Sequence, residues 1–148
     1  AESVIPVALG IRAAGSDFSW SQPGPYAYAG AILALLIMFN KALNDMVHVS
    51  RAFTGLDRLQ DVAGVGTPTS SGLARVRGMV RYLPFNRIFH SVEMTMLAFV
   101  AALGDAVVGG ASVTRALLVV MLAFAVITVP GHLLAILSST KLKVPDES

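Results

Sequence analysis

The sequence lacks cysteine, has few charged residues and contains a single tryptophan. Without cysteine the chain forms no disulfide, and it offers neither a thiolate nucleophile nor a cysteine ligand for zinc or an iron–sulfur cluster. Charged residues make up only 14% of the 148 residues, whereas hydrophobic residues make up 55%. Soluble domains carry more charge and less apolar content than this. The composition therefore predicts a membrane protein.

The basic residues do not have the sequence pattern of a nucleic-acid-binding surface. The formal net charge is only +2, and the lysines and arginines between Lys41 and Arg87 lack the interleaved aromatic side chains on which single-stranded bases stack. The sequence also contains no nucleotide-binding loop, no serine-hydrolase elbow and no His-x-x-x-His pair. We expect no nucleic-acid partner and no independent enzyme, although the chain is compatible with a place in an oxidoreductase complex.

Long runs without charge predict an all-α integral membrane protein in which residues 1–148 form a single membrane domain. Residues 18–40 and 116–140 carry no charged side chain, and about 20 apolar residues in a helix cross the hydrocarbon core. An N-terminal tail, residues 1–23, precedes the spans. We predict three transmembrane helices, at about residues 24–47, 85–109 and 113–140.

The second predicted span depends on its flanks. Its uninterrupted uncharged core covers only residues 94–104, a length that a buried helix of a soluble protein also has. Arg87 can extend to the headgroups and Asp105 can lie near the opposite interface, so both charges are compatible with a span.

Small residues on this helix predict close packing. Ala98, Ala102 and Ala106 recur at four-residue spacing, with Ala101 and Asp105 beside them. Small side chains at this spacing let helix backbones approach closely. We expect a partner helix, in this chain or in another.

The distribution of lysine and arginine predicts the orientation. With three spans, one side of the membrane holds only Arg12 and Arg115 of the 11 basic residues. The positive-inside rule then places residues 41–87 and the C-terminus on the matrix or stromal side of an organellar inner or thylakoid membrane, with a bacterial inner membrane as the alternative. The basic side holds Lys41, Arg51, Arg58, Arg75, Arg77, Arg81, Arg87, Lys141 and Lys143.

The first helix is predicted to continue beyond the membrane as an amphipathic extension. Polar residues recur there at intervals of four, four and three, and further charges lie beside them. The extension lies on the surface or packs under the bundle, and His48 is expected to be a solvated helix residue, with a role as a ligand as the alternative. A long loop, residues 54–84, follows. The recurring polar residues are Asn40, Asn44, His48 and Arg51.

Four arginines near the end of this loop are candidate lipid ligands. They lie close to the predicted membrane boundary, where guanidinium groups bind anionic headgroups or an acidic partner surface. The alternative is that they only enforce the topology. The four are Arg75, Arg77, Arg81 and Arg87.

Three residues are candidate contacts for a cofactor. His90 and Glu93 are three residues apart and share a helix face, and an ionisable residue at membrane depth is a functional-site hypothesis. The pair is interpreted as a proton relay, as a haem or chlorophyll site through His90, or as an ion pair that fixes helix positions. His132 follows Pro130 and Gly131, which interrupt a membrane helix; it is a candidate ligand, or it satisfies a carbonyl that the proline exposes.

Residues 90–133 resemble the DoxX-like family of small membrane proteins, and "IMFNKALN" is similar to the family's first helix. The resemblance implies a helical membrane bundle and, in some members, association with terminal oxidase or thiol-redox systems. That family usually has four spans, and the segment 54–84 is not part of its pattern. The matching residues are Glu93, Gly109, Gly110, Thr114, Arg115, Met121 and His132.

Three functions follow as hypotheses. The first is a non-catalytic accessory subunit of a larger energy-transducing membrane complex, respiratory or photosynthetic, which docks through the small-residue face of its second span and its basic loop. The second is a DoxX-like redox-associated membrane protein in which Glu93 and His132 handle quinone or protons. The third is a pigment-binding or haem-binding subunit with His90 or His132 as axial ligand of chlorophyll or haem.

Overall fold

The computed structural model describes residues 2–53 and 91–137, and all of its regular elements are helical. No strand occurs in these two ranges, in agreement with the predicted all-α fold. The predicted loop 54–84 lies outside the described residues. The helices are α1 (Val4–Ala14), α2 (Gly24–Phe53), α3 (Ser91–Val108) and α4 (Ser112–Leu137), with a short 3₁₀ turn at Gly15–Asp17 after α1.

Two helices in the described part of the chain are long and apolar enough to cross a membrane. The candidate spans are Gly24–Val49 in α2 and Ser112–Leu134 in α4. They correspond to the first and third predicted spans, about 24–47 and 113–140. The second predicted span, 85–109, is not one of these two, although α3 occupies most of it.

The segment predicted as a tail, residues 1–23, contains α1. This helix is short and apolar, and its proline, Pro6, lies in the first turn, where a missing N–H breaks no helical hydrogen bond. Gly15 ends the helix with a φ of 63°, a conformation that glycine adopts without steric cost.

The backbones of α1 and α2 touch where two glycines meet. A Cβ atom added to Gly30 would lie 2.5 Å from the carbonyl oxygen of Pro6 and 2.8 Å from Cα of Gly10. One added to Gly10 would lie 2.7 Å from the carbonyl oxygen of Tyr26. These distances are shorter than any side chain tolerates, so α1 packs on α2 only because both positions are glycine.

The chain divides into two compact units. The first comprises residues 1–39 and 84–127, and the second comprises residues 40–83 and 128–148. In the first unit all four helices contribute side chains to one apolar core. Its buried members are Leu9, Ala13, Leu33, Ile37, Met94, Leu118, Met121 and Ala125.

In the second unit the described residues are the C-terminal parts of α2 and α4. The helix α2 continues without a break to Phe53, through the segment predicted as its extension. The helix α4 continues through Pro130 to Leu137, so His132 lies inside a helix and not at its end.

Much of the exposed surface of α2, α3 and α4 within the described residues is apolar. On α3 the exposed side chains recur along one face, which is the pattern of a helix that meets lipid or another apolar surface. The exposed residues of this face are Val92, Met96, Phe99, Val100, Leu103 and Val107. Comparable exposed residues are Ile32, Leu35, Met38 and Phe39 on α2, and Val119, Val120, Val126 and Ile127 on α4.

Candidate functional site

A buried carboxylate lies where α3 turns back into α4. The turn is made by Gly109 and Gly110, whose φ angles of 83° and 90° suit glycine. Asp105, in the last turn of α3, is 2% exposed. Its Oδ1 accepts hydrogen bonds from the backbone N–H groups of Val113 at 2.8 Å and Thr114 at 3.3 Å, and the Thr114 hydroxyl donates to Oδ2 at 2.5 Å.

Asp105 therefore caps α4 from the preceding helix. The first N–H groups of a helix have no partner within it, and the positive end of the helix dipole lies there. A carboxylate accepts hydrogen bonds from these N–H groups, and its negative charge interacts favourably with the positive end of the dipole. The bonds of Asp105 to Val113 and Thr114 hold α3 and α4 together at this end of the hairpin.

Two arginines connect α1 to the end of the α3–α4 hairpin where Asp105 lies. Nη2 of Arg12 lies 3.5 Å from Oδ2 of Asp105, and the Arg12 side chain is half-exposed. Nε of Arg115 donates to the carbonyl oxygen of Ala13 at 2.8 Å, and its guanidinium carbon lies 4.8 Å from the ring centroid of Tyr26. A cation suits this position because the last carbonyls of α1 lack helical donors and carry the negative end of its dipole.

Arg12, Asp105, Thr114 and Arg115 form one group, called here the Asp105 cluster. The recorded partners of Asp105 are all donors or cations, so they stabilise its ionised form. These hydrogen bonds and the ion pair between Arg12 and Asp105 join α1, α3 and α4, and the Arg115 ring contact adds α2. The geometry is that of a structural connection, because the acceptor positions of Asp105 are occupied by the protein itself.

A second polar contact lies in the other unit. Nδ1 of His132 is 2.8 Å from Oδ1 of Asn40. Since an amide oxygen can only accept, the contact forms with a proton on Nδ1, and Nε2 of the neutral ring is then an acceptor. Asn40 is 5% exposed, and Thr128, one turn before His132 on the same face of α4, is 1% exposed.

Three polar residues of α2 form a stripe on the less exposed side of the helix. Asn40 is buried, Asn44 and His48 are partly buried, and the neighbouring Lys41 and Asp45 are exposed. Nδ1 of His48 is buried and has no hydrogen-bond partner among the described residues. Sequence reasoning expected His48 to be solvated, whereas the structure turns this ring nitrogen away from solvent.

The other predicted site residues are only partly covered by the structure. Glu93 lies in the first turn of α3 and is exposed. His90 and the four candidate lipid-binding arginines, Arg75, Arg77, Arg81 and Arg87, lie outside the described residues. Within residues 2–53 and 91–137 no group of three His, Asp or Glu side chains could hold a metal ion. Binding of haem, chlorophyll or quinone by His90, Glu93 or His132 stays a prediction.

The small residues predicted to form a packing face on α3 differ in their burial. Ala101 is buried, and Ala98 packs against the core of the first unit, so both are used inside the chain. Ala106 is exposed. The close backbone contact between Gly10 and Gly30 was missed, although each glycine is followed four residues later by a buried alanine.

The role of Asp105 was also missed. A signal for it exists in the sequence, where an aspartate precedes two glycines and a threonine follows. This order allows a carboxylate at the end of one helix to cap the next helix across a tight turn.

Comparisons of the chain with models of known protein families, with curated proteins and with solved structures find no match. The resemblance to the DoxX-like family therefore stays a prediction.

Proposed function

We propose that this chain is a non-catalytic accessory subunit of a larger energy-transducing membrane complex. The observation that carries the proposal is the use of polar groups in the first unit. Asp105, Arg12, Thr114 and Arg115 bond helix to helix, and the outer faces of the helices are apolar. A rigid apolar bundle of this kind suits a subunit that packs among other membrane proteins.

The proposal includes α3 as a third span. Its 18 residues extend about 27 Å at about 1.5 Å per residue. A two-glycine turn joins it to α4, and Met94 shares the core with side chains of α2 and α4. These contacts with the two candidate spans support the proposal that α3 lies in the same layer of the membrane.

We also propose the orientation that the charges favour. Arg12 and Arg115 both lie at the Asp105 cluster, which supports placing both on one side of the membrane, the side with few basic residues. The side with residues 41–87 is then the matrix or stroma of an organelle, or the cytoplasm of a bacterium, and Arg75, Arg77 and Arg81 contact anionic lipid there.

Site-directed crosslinking tests the accessory role, because the chain has no cysteine of its own. Single cysteines are introduced at three outer positions of closely matched exposure: Leu35 (66%) on α2, Val100 (63%) on α3 and Val120 (65%) on α4. Each variant is labelled with a photoactivatable thiol reagent in native membranes. We expect at least one position to crosslink to a different polypeptide.

Extraction in mild detergent provides the second measurement. The unmodified chain is expected to migrate with an assembly much larger than 15.5 kDa. A stable lone monomer, together with three cysteine positions that crosslink to no other protein, would contradict the proposal.

A further inference from the structure

The connector between α1 and α2, residues 15–23, carries the single tryptophan of the chain at its surface. Trp20 is 86% exposed. We propose that the connector is an interfacial anchor, in which the Trp20 ring inserts among phospholipid headgroups at the end of α2 where the Asp105 cluster lies. Its partner is the lipid bilayer itself. The inference rests on the membrane placement of α2 within the proposed function, and it is independent of the accessory role.

The exposed ring is held in place by the connector. The backbone N–H of Phe18 donates to the carbonyl oxygen of Gly15 at 3.2 Å, and that of Gln22 donates to the carbonyl oxygen of Ser19 at 3.1 Å. The rings of Phe18 and Trp20 meet edge to face, with their centroids 5.1 Å apart. Tryptophan is highly buried on average. A tryptophan that two successive turns hold outward is therefore arranged to meet an apolar partner outside the described residues.

Both helices that the connector joins run inward from it. Gly10, five residues before the end of α1 at Gly15, lies against Gly30, six residues after the start of α2 at Gly24. The two helices are therefore antiparallel neighbours whose common end is the connector. If α2 crosses the membrane, the connector lies at the membrane surface.

The distribution of charge locates the boundary of the hydrocarbon. Asp17 belongs to the connector, and the Asp105 cluster contacts the first turn of α2 through Arg115. Residues 18–40 carry no charge. The candidate span begins at Gly24, four residues after Trp20. Trp20 thus lies between the charged end of the helices and the apolar part of α2, which is the level of the headgroups.

The chemistry of the exposed side chains favours a lipid interface over a dry protein contact. Indole combines a large apolar ring with one N–H donor, so at headgroup level the ring meets acyl chains and the N–H meets water or lipid oxygens. Tyr28, a second amphipathic aromatic near this end of α2, is 58% exposed. The polar neighbours of Trp20 are exposed as well and suit hydrated headgroups. They are Ser19, Ser21 and Gln22.

Intrinsic fluorescence tests the anchor in the unmodified chain, because Trp20 is its only tryptophan. The full chain is reconstituted into phosphatidylcholine vesicles whose acyl chains carry bromine atoms either near the headgroups or near the methyl ends. We expect the shallow bromines to quench Trp20 at least about twofold more than the deep ones, since the ring lies at headgroup depth. Iodide in the water should quench it at least about twofold less than it quenches free tryptophan.

Three results would overturn the anchor. Stronger quenching by the deep bromines would place the ring in the hydrocarbon. Quenching by iodide as for free tryptophan, without quenching by either brominated lipid, would place it in water. Quenching by neither reagent would show that protein covers it, as in contact with a second copy of the chain.

A relocated tryptophan separates the anchor from the membrane placement of α2. Trp20→Phe combined with Tyr28→Trp moves the ring to an outer position about 6 Å from Gly24 along the helix. We expect the deep bromines to quench the relocated ring more than they quench Trp20. If lipid bromines quench the relocated ring but not Trp20, the anchor alone is wrong. If they quench neither, the membrane placement of α2 is wrong as well.

Discussion

The Asp105 cluster and the polar stripe are both polar groups within a largely apolar helical chain, but they use their hydrogen-bonding capacity differently. Asp105 accepts hydrogen bonds from two backbone N–H groups and one hydroxyl, and it lies beside Arg12. In the stripe, Asn40 bonds His132, whereas the buried Nδ1 of His48 has no partner within the described part of the chain.

The difference follows from charge. A carboxylate that leaves water loses a large solvation energy, so it persists only where nearly all of its acceptor positions are filled. Neutral imidazole and amide groups lose less, and a partly satisfied arrangement can persist. The acceptor positions of the carboxylate are therefore filled by the protein, whereas the neutral stripe tolerates one buried nitrogen without a partner among the described residues. Four variants can break or sharpen this comparison.

Asp105→Ala is expected to have the largest effect. The change removes the cap of α4 and leaves Thr114 and Arg12 without their carboxylate partner. We expect the lowest Tm of the four variants, measured by thermal unfolding in detergent. Asp17→Ala, at an exposed aspartate in the 3₁₀ turn, is the matched control and should leave Tm unchanged. A wild-type Tm for Asp105→Ala would show that the cluster does not hold the helices together.

Gly30→Leu is expected to rank second. Its side chain would meet the Pro6 carbonyl and the Gly10 backbone, and overpacking of this kind costs about 1–3 kcal/mol. The neighbouring Ala31→Leu adds a similar volume at an exposed position. It should leave the free energy of unfolding unchanged, as measured by chemical denaturation. Since Gly30→Leu displaces α1, it should also abolish any further effect of Arg12→Gln. If the two effects add instead, α1 is not held by this glycine contact.

Asn40→Leu is expected to cost about 1 kcal/mol, the net value of a neutral hydrogen bond. The change removes the partner of His132 while keeping the side chain similar in size. Asn44→Leu, at the next stripe position, is the control for added apolar surface and should cost less. A loss for Asn40→Leu as large as that for Asp105→Ala would erase the proposed distinction between the two sites.

Arg12→Gln is expected to have the smallest effect. The guanidinium is 48% exposed and lies 3.5 Å from the carboxylate, and solvent and salt weaken such pairs. The backbone and hydroxyl bonds of Asp105 remain. The small decrease in Tm should disappear in high salt. A large, salt-independent decrease would show that the ion pair, and not the capping bonds, dominates the cluster.

The features predicted from the sequence are those that depend on local composition. Uncharged runs locate α2 and α4, because a span needs a continuous apolar stretch. The helix α1 was not predicted because its 11 residues are too short to signal a span, and it is held by contacts with distant residues such as Gly30 and Asp105.

The spacing of the polar stripe was recognised in the sequence, but its environment in the structure differs from the one predicted. The four-residue spacing of Asn40, Asn44 and His48 was recognised, but it was interpreted as an extension that lies on the surface or packs under the bundle, with His48 solvated. Where a helix runs within a membrane, polar side chains turn inward, so the same spacing indicates a buried face. The Asn40 side chain contacts His132, which lies 92 residues away in sequence. The residues around Asn40 therefore do not indicate this contact.

The two-glycine turn between α3 and α4 also has a consequence for the order of assembly. A connection this short brings α3 and α4 together as soon as both are made, so the two helices pair early in folding. The carboxylate and the guanidinium that hold α1 belong to that pair, and the bond from Arg115 to Ala13 spans 102 residues. Since α3 and α4 follow α1 in the sequence, α1 can complete these two contacts only after both later helices have been made.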